Sequence, residues 1–453
     1  MAPRFSAFLL CAAVVAVYAA LPQTARAETL LNAVEDALNQ HPSVQAALAG
    51  RDIAKAQRRE AASPYYPELN VNAATGRVYA DNSTSRGLTV DRGAGYSWSA
   101  EGGITMRQML FDGMETGNRV DAAKAMLDSA NMNVIDVREN LGLRVVLAYL
   151  EVLRTREAVT LLREHGKKIA DYRTRIESMV EQGAADESMA VQAHDIQNQL
   201  DGTIADVEGQ QKKAMAEYAE AVGRPIAEPL ERPVIDPAAI TADENQAVAR
   251  ARAEHPALHV ANLRGVAAYE GIRAEKGTLY PDLSGELSMY KKDIDDLIGG
   301  EVIDNRALIR MNWDFSMGGA QLARIKQSVH REAEAQAQAQ DLAGKIEREI
   351  RKSYAELDAA KKRLDVSRDR VTVSSNLVRT YEVQFEAAKV TLLNLLQAEN
   401  TNFNAKLGVL NADYRHLAAQ YSVLANTGTL QKTLNIAAVD MANNTAAPAT
   451  APQ

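Results

Sequence analysis

Cysteine is almost absent: Cys11 is the only one in 453 residues. A lone thiol closes no intramolecular disulfide, and this one falls in the N-terminal apolar stretch. The exported portion is therefore expected to hold neither a disulfide nor a thiolate metal ligand, nor an N-terminal cysteine for a lipid anchor. Long hydrophobic runs are also missing. After Glu28 no stretch approaches the roughly 20 apolar residues that a membrane-spanning helix needs. If the chain crosses a bilayer, it must do so as a closed barrel, because lipid offers no partner to unpaired backbone groups. Charge of one sign is not concentrated anywhere. Fifty-one Lys and Arg face 59 Asp and Glu, for a net charge of −8, and no basic block is present to hold nucleic acid.

What is present begins with a leader. Arg4 supplies a positive start, Phe5 to Ala20 is almost wholly apolar, and Ala25-Arg26-Ala27 places small residues at both cleavage-determining positions. Residues 1–27 are expected to be removed, leaving Glu28 first. At the other end, 432–453 turns to Ala, Thr, Pro and Asn, a composition too poor in apolar surface to repay ordering.

Between these ends the chain repeats itself. His41-Pro42 recurs as His255-Pro256, and Tyr66-Pro67 with Leu69 recurs as Tyr280-Pro281 with Leu283, at an offset of 214. Tyr149 and Glu151 match Tyr354 and Glu356, Gln192-Ala193 match Gln397-Ala398, and Gly223 matches Gly428, at an offset of 205. The two repeats span 28–225 and 243–431, joined by a linker at 226–242. Self-similarity at this scale fixes the architecture before any single residue is interpreted. Each half reads as two short helices broken at His-Pro, two strands, one very long helix and one medium helix.

The strands show period-two patterning. Tyr96, Trp98, Ala100, Gly102, Ile104 and Met106 point one way; Ser97, Ser99, Glu101, Thr105 and Arg107 point the other. In the second half Ala307, Ile309, Met311, Trp313 and Phe315 oppose Arg306, Arg310, Asn312 and Asp314. Partner strands lie near Leu69–Tyr79 and Leu283–Tyr290. Tyr96, Trp98, Trp313 and Phe315 have the look of an aromatic girdle at a lipid boundary. A soluble sandwich with ordinary aromatic core residues fits the strands alone nearly as well.

The long helices favour the membrane reading. Val137, Leu141, Val145, Ala148, Val152, Val159, Leu162, Ile169, Tyr172, Ile176 and Met179 advance mostly by three and four, the seam of a coiled coil. The second copy carries Ile346, Ile350, Leu357, Leu364, Val371, Leu377 and Phe385. Each helix covers about 68 residues, or roughly 100 Å. The medium and second short helices, about 58 residues together, could stack end to end beside one long helix. Four strands cannot enclose water, and alone they leave two edges unpaired in lipid. Two copies would give eight strands with a filled interior; three give twelve around a wet lumen. The expected fold is therefore a trimeric twelve-stranded outer-membrane β-barrel, four strands per chain, continuous with a long α-helical coiled-coil barrel.

With the duplicated His-Pro helix pairs, the Tyr-Pro strand starts, and Phe111-Asp112-Gly113 and Phe315 through Gly319 leading from strand to long helix, the chain resembles the TolC family of outer-membrane export ducts over Glu28 to about Leu430. Phe111–Val120 (FDGMETGNRV) and Ala148–Arg154 (AYLEVLR) are similar to its type I secretion branch. The resemblance implies a homotrimer in outer-membrane lipid with a periplasmic extension, passing an exported, unfolded protein substrate. It also implies a periplasmic membrane-fusion adaptor and an inner-membrane ABC transporter, or another pump, as partners. The adaptor would meet the turns Gln182-Gly183-Ala184-Ala185 and Ala387-Ala388-Lys389-Val390. Asn394 and Gln397 stand where some members place aspartate rings at the periplasmic aperture. Phe385, Val390 and Met189 align with the tyrosine, arginine and aspartate of a charged lock, so here a charged lock and a divalent-cation block are not expected.

No enzyme is expected. His255 and His259 have a zinc-like spacing, but Pro256 interrupts the helix that would align them. Gly102-Gly103 lacks the helix and lysine of a phosphate loop. No nucleophile, base and oxyanion site assemble, and no cofactor or metal site is expected. Two other readings remain: the channel of a multidrug or small-molecule efflux pump, and a soluble periplasmic coiled-coil scaffold, which would account for the rods alone.

Overall fold

The computed structural model describes residues 28–80, 95–294, 301–387 and 389–436. The first repeat holds α1 (Leu30–Gln40), α2 (Pro42–Ala61), β1 (Glu68–Ala80), β2 (Gly95–Phe111), α3 (Glu115–Glu181) and α4 (Glu187–Val222). The second holds α5 (Glu244–Glu254), α6 (Pro256–Gly277), β3 (Asp282–Ile294), β4 (Val302–Asn312), α7 (Ala320–Glu386) and α8 (Leu392–Asn426), followed by the single turn α9 (Leu430–Thr433). The described chain runs on to Ile436, which packs against the core past the tail boundary expected at 432.

Repeated residues do repeated work. His41 and His255 end one short helix and cap the next, their Nδ1 atoms accepting from Ser43 N (3.1 Å) and Ala257 N (3.2 Å). The prolines at 42 and 256 occupy the first helical position, where no amide hydrogen is needed. Gly223 (φ 87°) and Gly428 (φ 70°) stop the medium helices in the left-handed conformation that glycine adopts without steric cost.

The long helices α3 and α7 are both 67 residues, about 100 Å at 1.5 Å per residue. α2 and α4 both pack along α3, and α6 and α8 lie between α3 and α7. Arg144 of α3 reaches both His41 Nε2 at the head of α2 (2.9 Å) and Glu220 near the end of α4 (3.2 Å), so those two helices abut. In the second half a Cβ on Gly428 would lie 3.1 Å from Pro256, so α8 ends where α6 begins. The seam on α3 is buried at Leu141, Val145, Val152, Val159, Leu162, Ile169 and Ile176. On α7 one expected position fails: Leu377 is 39% exposed and Val378 is buried instead. Val378 lies seven residues after Val371, so the seam keeps its heptad there.

The sheet is antiparallel in the order β1-β2-β3-β4. Its register puts Val71, Ile104, Met289 and Asn305 in one row and Leu69, Met106, Leu287 and Ala307 in another, on the same face. The opposite face carries Glu101 beside Lys292 (3.4 Å) and Arg310 beside Glu286 (2.9 Å). The last strand ends sooner than the alternation predicts. Trp313 and Phe315 lie beyond the end of β4, because its partner β3 starts at Asp282, paired with Asn312, just after Pro281. Trp313 Nε1 instead donates to Leu279 O (3.1 Å), and its ring tilts against Phe315 at 4.8 Å.

Candidate functional site: a two-faced sheet and the helix tips

At the sheet, segregation of side chains is the main feature. Ile309 (79% exposed), Val71 (67%), Met289 (63%) and Met311 (62%) lie bare on one face. Apolar exposure of this extent on a regular sheet marks a surface that meets lipid or another protein. Tyr96 and Trp98 lie on that face near the start of β2, with the Tyr96 ring tilted against that of Tyr79 at 5.1 Å. Trp313 and Phe315 lie at the opposite end, beside the helices. About 13 residues of strand separate the levels of Trp98 and Trp313, roughly 43 Å along the strands. On the other face, Tyr290 donates to Glu101 (2.8 Å), and Arg306 pairs with Asp304. Polar pairs along this face suit contact with water.

At the far end of the helices are the tips. Gly183 (φ 71°) closes the first one: its N–H bonds Val180 O (2.9 Å) and Ala184 N–H bonds Met179 O (2.8 Å). This pair of reversed bonds satisfies the last carbonyls of α3. Gln182, Gly183 and Ala184 are exposed and Ala185 partly so. In the second tip Lys389 N bonds Gln384 O (2.8 Å), Ala387 and Lys389 are exposed, and Val390 is partly exposed. Ala388 lies outside the described residues.

α8 then starts with a capping box missed in the sequence, because Asn394 stands where the usual signature has Glu or Gln. Thr391 Oγ1 accepts from Asn394 N (3.3 Å), and Asn394 Oδ1 accepts from Thr391 N (3.2 Å). The Asn394 amide is thereby held against the helix end. Gln397 is exposed one turn further on the same face. Beneath them Leu392, Leu395 and Leu396 are buried with Ile169, Ile176 and Val378, and Phe385 and Met189 join the same cluster. Each fully buried leucine contributes about 2 kcal/mol. The three positions expected to lack a charged lock are therefore occupied by Phe385 and Met189 in the apolar cluster and by Val390 in the turn.

Above this cluster a polar layer fixes register. Asn402 Oδ1 accepts from Ser374 (3.1 Å) and Ser375 (3.0 Å), and Lys168 lies 3.6 Å from the buried Glu399. His165 stacks on Phe403 at 4.0 Å, and burial pulls its pKa down to about 4, so the imidazole is neutral at physiological pH. His255 spends its Nδ1 on capping α6, and His259 is exposed one turn on. Among the described residues no group of three or more His, Cys, Asp or Glu could hold a metal ion, and no helix is long and apolar enough to cross a membrane.

The outer membrane efflux protein family model matches residues 33–224 and 247–429, one match to each repeat. The chain is 24% identical over 448 residues to the outer membrane efflux protein BepC of Brucella suis biovar 1 (strain 1330), covering 94% of this chain and 92% of that one. Its fold is similar to a crystal structure of a Pseudomonas aeruginosa membrane protein (TM-score 0.77, 18% identity, 88% of this chain and 93% of that one). It is also similar to the Campylobacter jejuni CmeC outer membrane channel (TM-score 0.76, 13% identity, 88% of this chain and 86% of that one). The chain thus belongs to the outer membrane efflux protein family, as an outer-membrane channel whose helices extend into the periplasm.

Proposed function

We propose that this chain is the outer-membrane duct of a type I secretion system, working as a homotrimer. The observation that carries the duct reading is the pairing of open edges. The sheet ends on β1 and β4, and the helical layer ends on α2 and α4 at one side and α7 at the other. Apolar residues stand bare along the α7 edge, among them Val366 (68% exposed) and Val373 (69%). A rotation that brings β4 against the next copy's β1 brings α7 against its α2 and α4. Such a head-to-tail contact closes into a ring, and twelve strands leave a lumen wide enough for water.

In this reading Tyr96, Trp98, Trp313 and Phe315 form the aromatic girdles in outer-membrane lipid, with the charged face inside. The exposed turns Gln182–Ala185 and Ala387–Val390 receive a periplasmic membrane-fusion adaptor, which joins the duct to an inner-membrane ABC transporter. Asn394 and Gln397 line the periplasmic aperture with amides. The chain itself conducts, and the partners supply the energy. Secretion of an unfolded protein is favoured over small-molecule efflux by the stretches Phe111–Val120 and Ala148–Arg154. The efflux reading draws on the relative named an efflux protein.

Deleting the gene separates the two. We expect one or more large proteins to vanish from the culture supernatant and return on complementation. An unchanged supernatant with increased sensitivity to toxic small molecules would contradict secretion and leave an efflux duct.

A further inference from the structure

Glu28 is buried (3% exposed) although it opens the described chain. Its carboxylate is held by Arg224 (3.0 Å), by the Tyr218 hydroxyl and by Ala227 N–H (2.5 Å). Its backbone nitrogen donates to Pro229 O (2.8 Å), and its carbonyl accepts from Glu231 N (3.1 Å) and from the Tyr149 hydroxyl (2.7 Å). One residue thus joins α3, α4 and the linker between the repeats. The charges do not balance. Arg224 also pairs with Asp36 (2.7 Å), so two carboxylates share one guanidinium, and the Glu231 carboxyl adds further negative potential beside Tyr149. Of these carboxylates only Glu28 is buried, and a buried carboxylate that shares a half-exposed guanidinium is costly unless another group offsets it.

We propose that proteolytic processing supplies the missing cation: hydrolysis of the Ala27–Glu28 bond creates an N-terminal ammonium that, with the Glu28 carboxylate, plugs this socket and locks the inter-repeat linker. Water adds across the amide, leaving a carboxylate on Ala27 and an amine on Glu28 that is protonated at neutral pH. The nitrogen already lies 2.8 Å from the Pro229 carbonyl, so the ammonium keeps that hydrogen bond and makes it charge-assisted. An unprocessed chain offers only an amide there. Removal of the leader then both frees the protein and tightens the joint between its halves. The inference rests on the leader reading rather than on the identity of the cargo.

The test uses the full-length gene, with the purified protein sequenced from its N-terminus. One variant inserts a serine between Ala27 and Glu28, which keeps the Glu28 amide and side chain but moves the ammonium one residue away. A second is Glu28→Gln. The readout is the rate at which a glutamate-specific protease cuts after Glu231 in the linker. We expect the parent to begin at Glu28, and both variants to be cut about tenfold faster, the scale of losing one buried charge-assisted contact. A start other than Glu28 would overturn the leader reading and the proposal with it. A start at Glu28 with the serine variant as resistant as the parent would overturn the ammonium plug alone, even if Glu28→Gln were labile.

Discussion

Gly113→Ala is expected to destabilise the protein by about 3–5 kcal/mol, whereas Gly319→Ala costs about 1 kcal/mol. Each is a left-handed residue where a strand hands over to a long helix, with φ of 64° and 69°. A side chain at either position carries the left-handed strain. Only Gly113 is also enclosed. A Cβ there would lie 2.4 Å from Gly277 O and 2.8 Å from Tyr280 Cβ, while nothing lies within 4 Å of the same atom on Gly319. The obstacle at Gly113 is backbone, which cannot rotate aside. Gly277 is tight from its own side too, since its Cβ would approach Glu115 N to 2.9 Å. The end of α6 and the start of α3 are thus in near backbone contact beneath the sheet. Thermal unfolding followed by helical circular dichroism in detergent measures the contrast. Equal losses for the two variants would mean that the crossing of α3 and α6 is not as close as described.

The second large effect concerns the aperture. The parent duct is expected to conduct in planar bilayers without block by low concentrations of divalent or trivalent cations. The double substitution Asn394→Asp, Gln397→Asp is expected to introduce such block, lowering the blocking concentration by orders of magnitude. In a trimer it converts a ring of amides into six carboxylates, and multivalent cations seek clustered oxygen ligands. Folding should survive, because aspartate at 394 can still accept from Thr391 N and a negative charge is favourable in the first helical turn. Block of the parent at low cation concentration would contradict the assignment of Asn394 and Gln397 to the aperture.

Much of the fold was legible because the chain states it twice. A duplicated His-Pro has one economical meaning, a helix end that caps the next helix, and both copies adopt it. The matched tyrosines 149 and 354 turn out to share a task that spacing alone did not reveal. Tyr149 donates to Glu28 O and Glu231 O, and Tyr354 to Thr241 O (2.7 Å), so each pins the segment that joins the repeats. The helix seams followed from heptad steps, and the one slip, Leu377 for Val378, is a choice between adjacent apolar residues that composition cannot make. Strand ends were harder. Trp313 and Phe315 continue the alternation, but pairing stops where the neighbouring strand meets Pro281, a constraint set by register rather than by the residues themselves.

The socket around Glu28 was not legible at all. Its parts lie at 28, 36, 149, 218, 224 and 227–231, and nothing in their local sequence marks them as neighbours. The tips were only half legible. A glycine announces the turn at 183, while the second turn is announced by the Thr391 cap that follows it.

The central claim is that one chain supplies a third of a closed wall, its β4 and α7 edges completed by the β1 and α2/α4 edges of a neighbour. The most direct measurement is electron microscopy of the detergent-purified particle, paired with its native mass. Three copies around a threefold axis, with a single tube running from sheet to helix tips, is the predicted result. A particle of one or two chains, or one without threefold symmetry, would contradict it.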